Sequence, residues 1–383
     1  MKFLLAPDKF RGSLTAYEVC QAMSEGIREV IPDAAIVVLP MADGGEGTAE
    51  ILTLNAGGKM HTAIVSDPLG RNIEAEYGLS SDGKTAFIEM ATASGLRLLQ
   101  SEERNPLKTT TFGTGQLIEE AYQKGARHII LGIGGSATTD GGIGMAAALG
   151  WQFLDSDENT LSPNGENMIK IDQILPPNES LSLTVEVACD VTAPLFGQEG
   201  AAYIYGPQKG ADAMMVTQLE EGLQHLALVV KRDFGVDIAQ VPGTGAAGGL
   251  GFGALFFLKA ILKEGVKIVM EQTHFEEQLI DTDFVFTGEG KIDEQTLQGK
   301  LIAGIAGAAQ KQNIPVVALC GALMVSPSDL NQLGITYATS ILPRPMTLHE
   351  AIPVAYEGVK NTTHYLVNLL NQVKITHRND QFT

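Results

Sequence analysis

The chain has 383 residues, 44% hydrophobic and 19% charged, which fits a packed globular protein and excludes wholesale disorder. Its formal charge of −19 argues against nucleic acid or an anionic membrane surface as a partner. Any bound phosphate must therefore be held locally, by basic side chains, helix N-termini or a divalent cation. The length favours two domains over one. Cys20, Cys189 and Cys320 lie far apart without ligand spacing, as expected of reduced thiols in a cytoplasmic protein. The apolar start is too short for a signal peptide. The longest apolar stretch, Leu250 to Leu262, is interrupted by glycines and Lys259 and falls short of the ~20 residues of a membrane span.

Lys2 to Ala6 reads as a buried strand bounded by Pro7. From Thr15 a helical period carries Val19, Met23 and Ile27 on one face, with Ser13 or Thr15 as N-cap. Ala35 to Leu39 is a second strand, and a helix from Thr48 to Leu54 follows a glycine-rich loop. Between about Met60 and Ala91 apolar and polar residues alternate, which predicts an antiparallel meander. Within it, Gly78-Leu-Ser-Ser-Asp-Gly-Lys-Thr85 satisfies a phosphate-loop pattern letter for letter. That motif needs a helix directly after it, and none is predicted, so the segment is expected to be a hairpin turn.

A helix is predicted over Thr114 to Lys124, a buried strand over His128 to Ile133 and a small-residue helix over Ile143 to Leu149. A strand from Leu183 to Cys189 ends in Asp190. From Thr282 strands and helices alternate again: strand Phe284 to Phe286, helix Ile302 to Gln310, strand Pro315 to Leu319 and helix Pro327 to Leu333. Strand Thr336 to Ile341 and a terminal helix over Leu348 to Val373 complete the series, and the tail from His377 to Thr383 has no packing signal. The pattern predicts an α/β protein of two domains. Residues 1–62 and 283–383 would form a discontinuous, doubly wound Rossmann- or flavodoxin-like parallel-sheet domain. Residues 63–282 would form an inserted mixed α/β domain, with the ligand cleft between the two.

Four glycine-rich stretches carry the chemistry: Asp43-Gly-Gly-Glu-Gly-Thr48, Gly134-Gly-Ser-Ala-Thr-Thr-Asp-Gly-Gly142, Gly243-Thr-Gly-Ala-Ala-Gly-Gly-Leu-Gly251 and Thr287-Gly-Glu-Gly-Lys-Ile-Asp293. Glycine lets backbone N–H groups approach a ligand, and rows of such groups bind anions. The second stretch offers the hydroxyls of Ser136, Thr138 and Thr139, the amides of Gly134 and Gly135, and the carboxylate of Asp140. The third is either a nucleotide-facing loop or a tightly packed helix start. Asp43 and Glu46, three apart, could take a hard divalent ion. Asp190 could ligate a metal, act as base for a substrate hydroxyl or cap a helix. Asp8, Lys9, Arg11 and Ser13 form a strand-end loop able to hold a phosphate or carboxylate.

Seven ordered segments carry a resemblance over nearly the whole chain. They are Ala6-Pro-Asp8 with Gly12-Ser-Leu14, Ala42-Asp-Gly-Gly-Glu-Gly-Thr48, Gly132-Ile-Gly-Gly-Ser-Ala-Thr-Thr-Asp-Gly-Gly142, Ala188-Cys-Asp190, Gly206-Pro-Gln-Lys-Gly-Ala211, Gly245-Ala-Ala-Gly-Gly-Leu-Gly251 and Thr287-Gly-Glu-Gly-Lys-Ile-Asp293. The chain resembles the bacterial glycerate kinase type-1 family. It departs from the usual pattern at Arg11, where Lys is common, and at Lys9, where Ser is. The resemblance implies a cytoplasmic enzyme using ATP and magnesium to phosphorylate D-glycerate, with 2-phosphoglycerate as the usual product of this branch.

Under that reading Asp190, Asp43, Lys291 and Arg11 are the catalytic candidates. Asp8, Lys9, Ser13, Gly44, Gly45, Gly134, Gly135, Ser136, Thr138, Thr139, Lys209, Gly288 and Glu289 are candidates for binding substrate or nucleotide, and Lys300 is a further nearby cation. Asp293, Asp140 and Glu46 are the metal candidates. The sequence carries no signal for its assembly, for which a homodimer is the expectation. The alternative is a non-catalytic sensor of glycerate or nucleotide, against which so many retained carboxylates speak.

Overall fold

A computed structural model describes residues 1–179, 181–297 and 301–379; Lys300 and the last four residues of the tail lie outside the described residues. The chain divides into two compact units, Met1–Asp43 with Val269–Thr383, and Gly44–Ile268. The first division thus falls inside the first glycine-rich stretch rather than after residue 62. The reason is pairing: strand Lys59–Ser66 lies antiparallel to Asn72–Leu79 along eight residue pairs and belongs to the second sheet.

The first unit is built on five strands in the edge-to-edge order Tyr337–Ser340, Val316–Leu323, Phe284–Ile292, Lys2–Leu5, Ala35–Val38. Every neighbouring pair is parallel. Counted along the chain this is the 2-1-3-4-5 order of flavodoxin-like sheets, in which ligands bind where the first and third strands diverge. Phe3, Leu4 and Leu5 are fully buried, as parallel strands covered on both faces require. Helix Ala16–Val30 starts at Thr15, whose hydroxyl and Glu18 form a capping box. Gly26 lets the terminal helix, Ala355–Asn379, pack closely, since a Cβ there would stand 2.4 Å from the Lys360 carbonyl oxygen. The third strand is longer than its apolar run predicts. It continues through Gly288-Glu-Gly-Lys-Ile292, so most of the fourth glycine-rich stretch is strand rather than loop.

The second unit holds a six-stranded sheet in the order Ile261–Lys263, Thr184–Ala188, His128–Gly132, Thr85–Glu89, Asn72–Leu79, Lys59–Ser66. The first four are mutually parallel and the last two form the antiparallel meander. The literal phosphate-loop segment is the turn of that meander. Ser80 N–H donates to the Thr85 carbonyl, Asp82 caps the Lys84 amide, and Gly83 takes a φ of +70°. Strand Thr85–Glu89 follows it directly, so no helix dipole meets the loop.

The third glycine-rich stretch resolves as packing. It starts helix Ala246–Phe257, with Ala247, Gly248 and Gly249 at positive φ. Gly248 O accepts from Gly141 N at 3.1 Å, and a Cβ on Gly248 would stand 2.0 Å from the Thr138 carbonyl oxygen. The second and third stretches are therefore the two faces of one backbone-to-backbone contact inside this unit. Gly248→Ala should lower stability by more than ~2 kcal/mol, through overlap and positive φ together. Gly307→Ala, in helix Leu301–Lys311 with open space where its Cβ would stand, should raise it by ~0.5–1 kcal/mol. Thermal denaturation of the two variants checks both signs.

Candidate active site

Each unit carries a cluster of charged groups at the carboxyl ends of its parallel strands. In the first, the chain leaving Lys2–Leu5 stays paired beyond the strand, with Asp8 N–H donating to the Gly288 carbonyl at 2.8 Å. Asp8 is 7% exposed, and its Oδ1 accepts from the Lys9 amide at 2.7 Å. Burial, reinforced by the charges of Asp43 and then Glu289, pushes its carboxyl up to about 7, against the pull of the Lys9 amide and charge. Glu289 accepts from the buried Thr296 hydroxyl at 2.6 Å, and that hydroxyl in turn accepts from the Asp293 amide at 3.1 Å. Arg11 reaches Asp43 at 3.4 Å, and Lys291 pairs with Asp293 at 2.7 Å. Arg11 and Lys291 are more than half exposed, so these pairs contribute little to stability and leave the cations accessible. Ser13, a candidate ligand contact, donates its hydroxyl to the Phe10 carbonyl and closes the Phe10–Leu14 turn.

This cluster brings together a carboxyl whose proton affinity lies near neutrality, the three further carboxylates Asp43, Glu289 and Asp293, and two accessible cations. It stands where the first and third strands diverge. A buried carboxyl raised in this way is a proton acceptor matched to neutral pH.

In the second unit, Gly134 and Gly135 form an exposed turn directly after strand His128–Gly132, with Ser136 nearly buried beside it. Beyond Ser136 the stretch turns inward. Thr138, Thr139 and Asp140 are fully buried. Asp140 accepts from the Thr111 amide and hydroxyl at 2.7 and 2.8 Å, and from the amides of Gly142 and Gly144 at 3.0 and 3.2 Å. It is thereby a structural anchor rather than the metal ligand expected from sequence. Burial pushes its carboxyl up, and the four hydrogen bonds oppose that.

Asp190 follows strand Thr184–Ala188 and accepts from the Gly265 amide at 2.8 Å. Gly44 lies against both: a Cβ there would stand 2.7 Å from Gly265 Cα and 3.4 Å from Asp190 Oδ2. Gly45 O accepts from the Thr48 hydroxyl, and Glu46 pairs with Arg97 on the surface. Lys209, expected to touch a ligand, is 1% exposed and donates to the Thr138 carbonyl.

Sequence reasoning missed Glu89. It is the last residue of strand Thr85–Glu89, where Asp190 lies two residues beyond its own strand, and it accepts from the Ala49 amide at 3.0 Å, with burial raising its pKa. A carboxylate ending an apolar strand was the available signal. Thr111 gave none, because its role depends on Asp140, 29 residues further along the chain.

Among the described residues no group of three or more His, Cys, Asp or Glu is arranged to hold a metal ion. Asp293, Asp140 and Glu46 are each engaged as above, so the chain offers no preformed metal centre there.

The Asp8 assignment has a stability signature. Its folded pKa is raised from 3.8 to about 7, so the folded state holds the proton more tightly. Stability therefore falls as pH rises through that window and levels above it. Asp8→Asn removes the effect. The melting temperature of Asp8→Asn relative to wild type should climb between pH 4 and 8; a constant difference would contradict the raised pKa.

The profile of the Glycerate kinase family matches residues 3–371. The chain is 50% identical over 374 residues to the "Glycerate kinase" of Haemophilus influenzae, covering 97% of this chain and 99% of that one. It is 46% identical over 363 residues to the "Glycerate 2-kinase" of Escherichia coli K12, covering 94% and 95%. A crystal structure from Salmonella typhimurium LT2, assigned as a glycerate kinase 2, superposes with a TM-score of 0.89 at 42% identity, covering 98% and 99%. No helix among the described residues is long and apolar enough to cross a membrane. The chain belongs to the glycerate kinase family.

Proposed function

We propose that this enzyme transfers the γ-phosphoryl group of ATP to a hydroxyl of D-glycerate, giving 2-phosphoglycerate and ADP in the cytoplasm. The observation that carries the mechanism is the Asp8–Asp43–Glu289 cluster flanked by Arg11 and Lys291. The names borne by the related proteins support the substrate.

Phosphoryl transfer depends mainly on positioning and charge stabilisation. Asp8 takes the proton of the attacking hydroxyl, and Asp43 raises its affinity for that proton. The hydroxyl oxygen bonds to the γ-phosphorus as the bond to the β,γ-bridging oxygen breaks, and ADP leaves. Arg11 and Lys291 offset the charge that builds on the transferring group and the glycerate carboxylate. The exposed Gly134–Gly135 turn and Ser136 present amides to the nucleotide phosphates. Asp190 holds Gly265 and with it the loop beside Gly44. Magnesium would accompany ATP and offset the charge on its phosphates; Asp293, held at this cluster by Lys291, is the metal candidate that would face it, whereas Asp140 is sealed inside the second unit.

The test mixes purified enzyme, ATP, magnesium and D-glycerate, with enolase coupled directly and no mutase present. ADP with an immediate enolase signal is expected. ADP without that signal would overturn the position of transfer, and no ADP would overturn the activity. Asp8→Asn should lower turnover by roughly 100-fold or more, as loss of a general base does. At saturating ATP, wild-type kcat/KM for D-glycerate should rise with pH through about 7.

A further inference from the structure

Lys209 is a cation inside the protein that the mechanism above does not use. It closes a short turn, Pro207–Lys209, and Gly210 follows at a φ of +93°. A Cβ on Gly210 would stand 2.4 Å from the Arg104 carbonyl oxygen, so that segment fixes where the lysine starts. The side chain runs inward and donates its ammonium to the Thr138 carbonyl. Thr138 is two residues from the phosphate-facing Ser136 and two from Asp140. The hydroxyls of Thr138 and Thr139 are buried without a hydrogen-bond partner, so the Thr138 side chain does not itself anchor this part of the loop.

Burying an ammonium with one carbonyl partner is costly unless a charge opposes it. Asp140 supplies that charge. The same carboxylate organises Thr111, Gly142 and Gly144, so lysine and aspartate hold the inner half of the glycine-rich stretch from opposite signs. Burial and the Asp140 charge are the two influences on the Lys209 ammonium, and Arg104 backs the adjacent Gly210.

We propose that Lys209 is a positioning residue for ATP: from beneath the loop, its ammonium fixes the Thr138 carbonyl and sets the exposed Gly134–Gly135 turn and the adjoining Ser136 to receive the nucleotide phosphates. It acts through the loop, because it is itself shut off from solvent. This rests on the kinase reading. Its charge is also adjustable, since burial pulls its pKa down to about 7, with Asp140 opposing. Free enzyme therefore loses the ammonium as pH rises through that value, and the loop loses positive field beneath its phosphate site.

The experiment measures KM for ATP and for D-glycerate in wild type, Lys209→Met and Lys209→Arg. A charge-assisted tie of this kind predicts a rise of roughly tenfold or more in KM for ATP in Lys209→Met. KM for D-glycerate should stay within about twofold, and Lys209→Arg should recover most of the loss. Equal rises in both KM values, or a lowered melting temperature with both unchanged, would overturn the proposal. If Lys209→Met does not fold, ATP binding to wild-type enzyme without glycerate decides. Affinity should weaken between pH 6.5 and 9, and a flat profile would overturn the proposal. ADP formation by wild type with D-glycerate tests the underlying activity separately, so either idea can fail alone.

Discussion

Carboxylates that accept backbone N–H bonds, at or just beyond strand ends for Asp8, Glu89 and Asp190 and deeper in the loop for Asp140, are the interaction on which both clusters depend. Asp8 takes the Lys9 amide, Glu89 the Ala49 amide, Asp140 the amides of Thr111, Gly142 and Gly144, and Asp190 the Gly265 amide. A glycine-rich loop has little side-chain packing to fix it and loses more conformational freedom on folding than other segments. A carboxylate at the end of a rigid strand offsets that loss and defines the loop's path. In a chain of formal charge −19 this use of acidic groups gives many of them a structural partner. Several are engaged in holding backbone amides.

The four carboxylates differ by burial, and burial sorts their roles. Asp140 is sealed, saturated by four donors and opposed by the Lys209 charge, so it anchors. Asp8 is nearly buried but has one backbone donor and two carboxylate neighbours, so it holds its proton up to about 7 and can exchange it. Asp190 is exposed and orders Gly265. Carboxylates that all hold backbone amides thus differ in how firmly burial and donors fix them, and only Asp8 fits the proposed proton acceptor.

Much of this was legible in the sequence. Apolar runs ending at Ala6, Ile133 and Asp190 place the strands, and the alternation through Asn72–Glu89 marks the meander that makes Gly78–Thr85 a turn. The parallel extension through Gly288–Ile292 was not legible, because glycines, Glu289 and Lys291 do not read as strand; pairing with Val316–Leu323 overrides their propensity. Nor could spacing reveal that Gly248 meets Thr138, or that Lys209 turns inward beneath the same loop. Those are contacts between segments 71 or more residues apart, formed by folding and invisible to local pattern. For the same reason Asp140 reads as a ligand in sequence and is an anchor in the fold.

On the proposed function, the exposed Gly134–Gly135 turn with Ser136, rather than the literal motif at Gly78–Thr85, receives the nucleotide phosphates. A crystal structure of the enzyme with a non-hydrolysable ATP analogue and magnesium tests it most directly. The account predicts phosphate oxygens within hydrogen-bond distance of the Gly134, Gly135 or Ser136 amides, with Lys209 still on the Thr138 carbonyl. Phosphates bound at Lys84, or a Gly134–Ser136 turn left without contact, would contradict it.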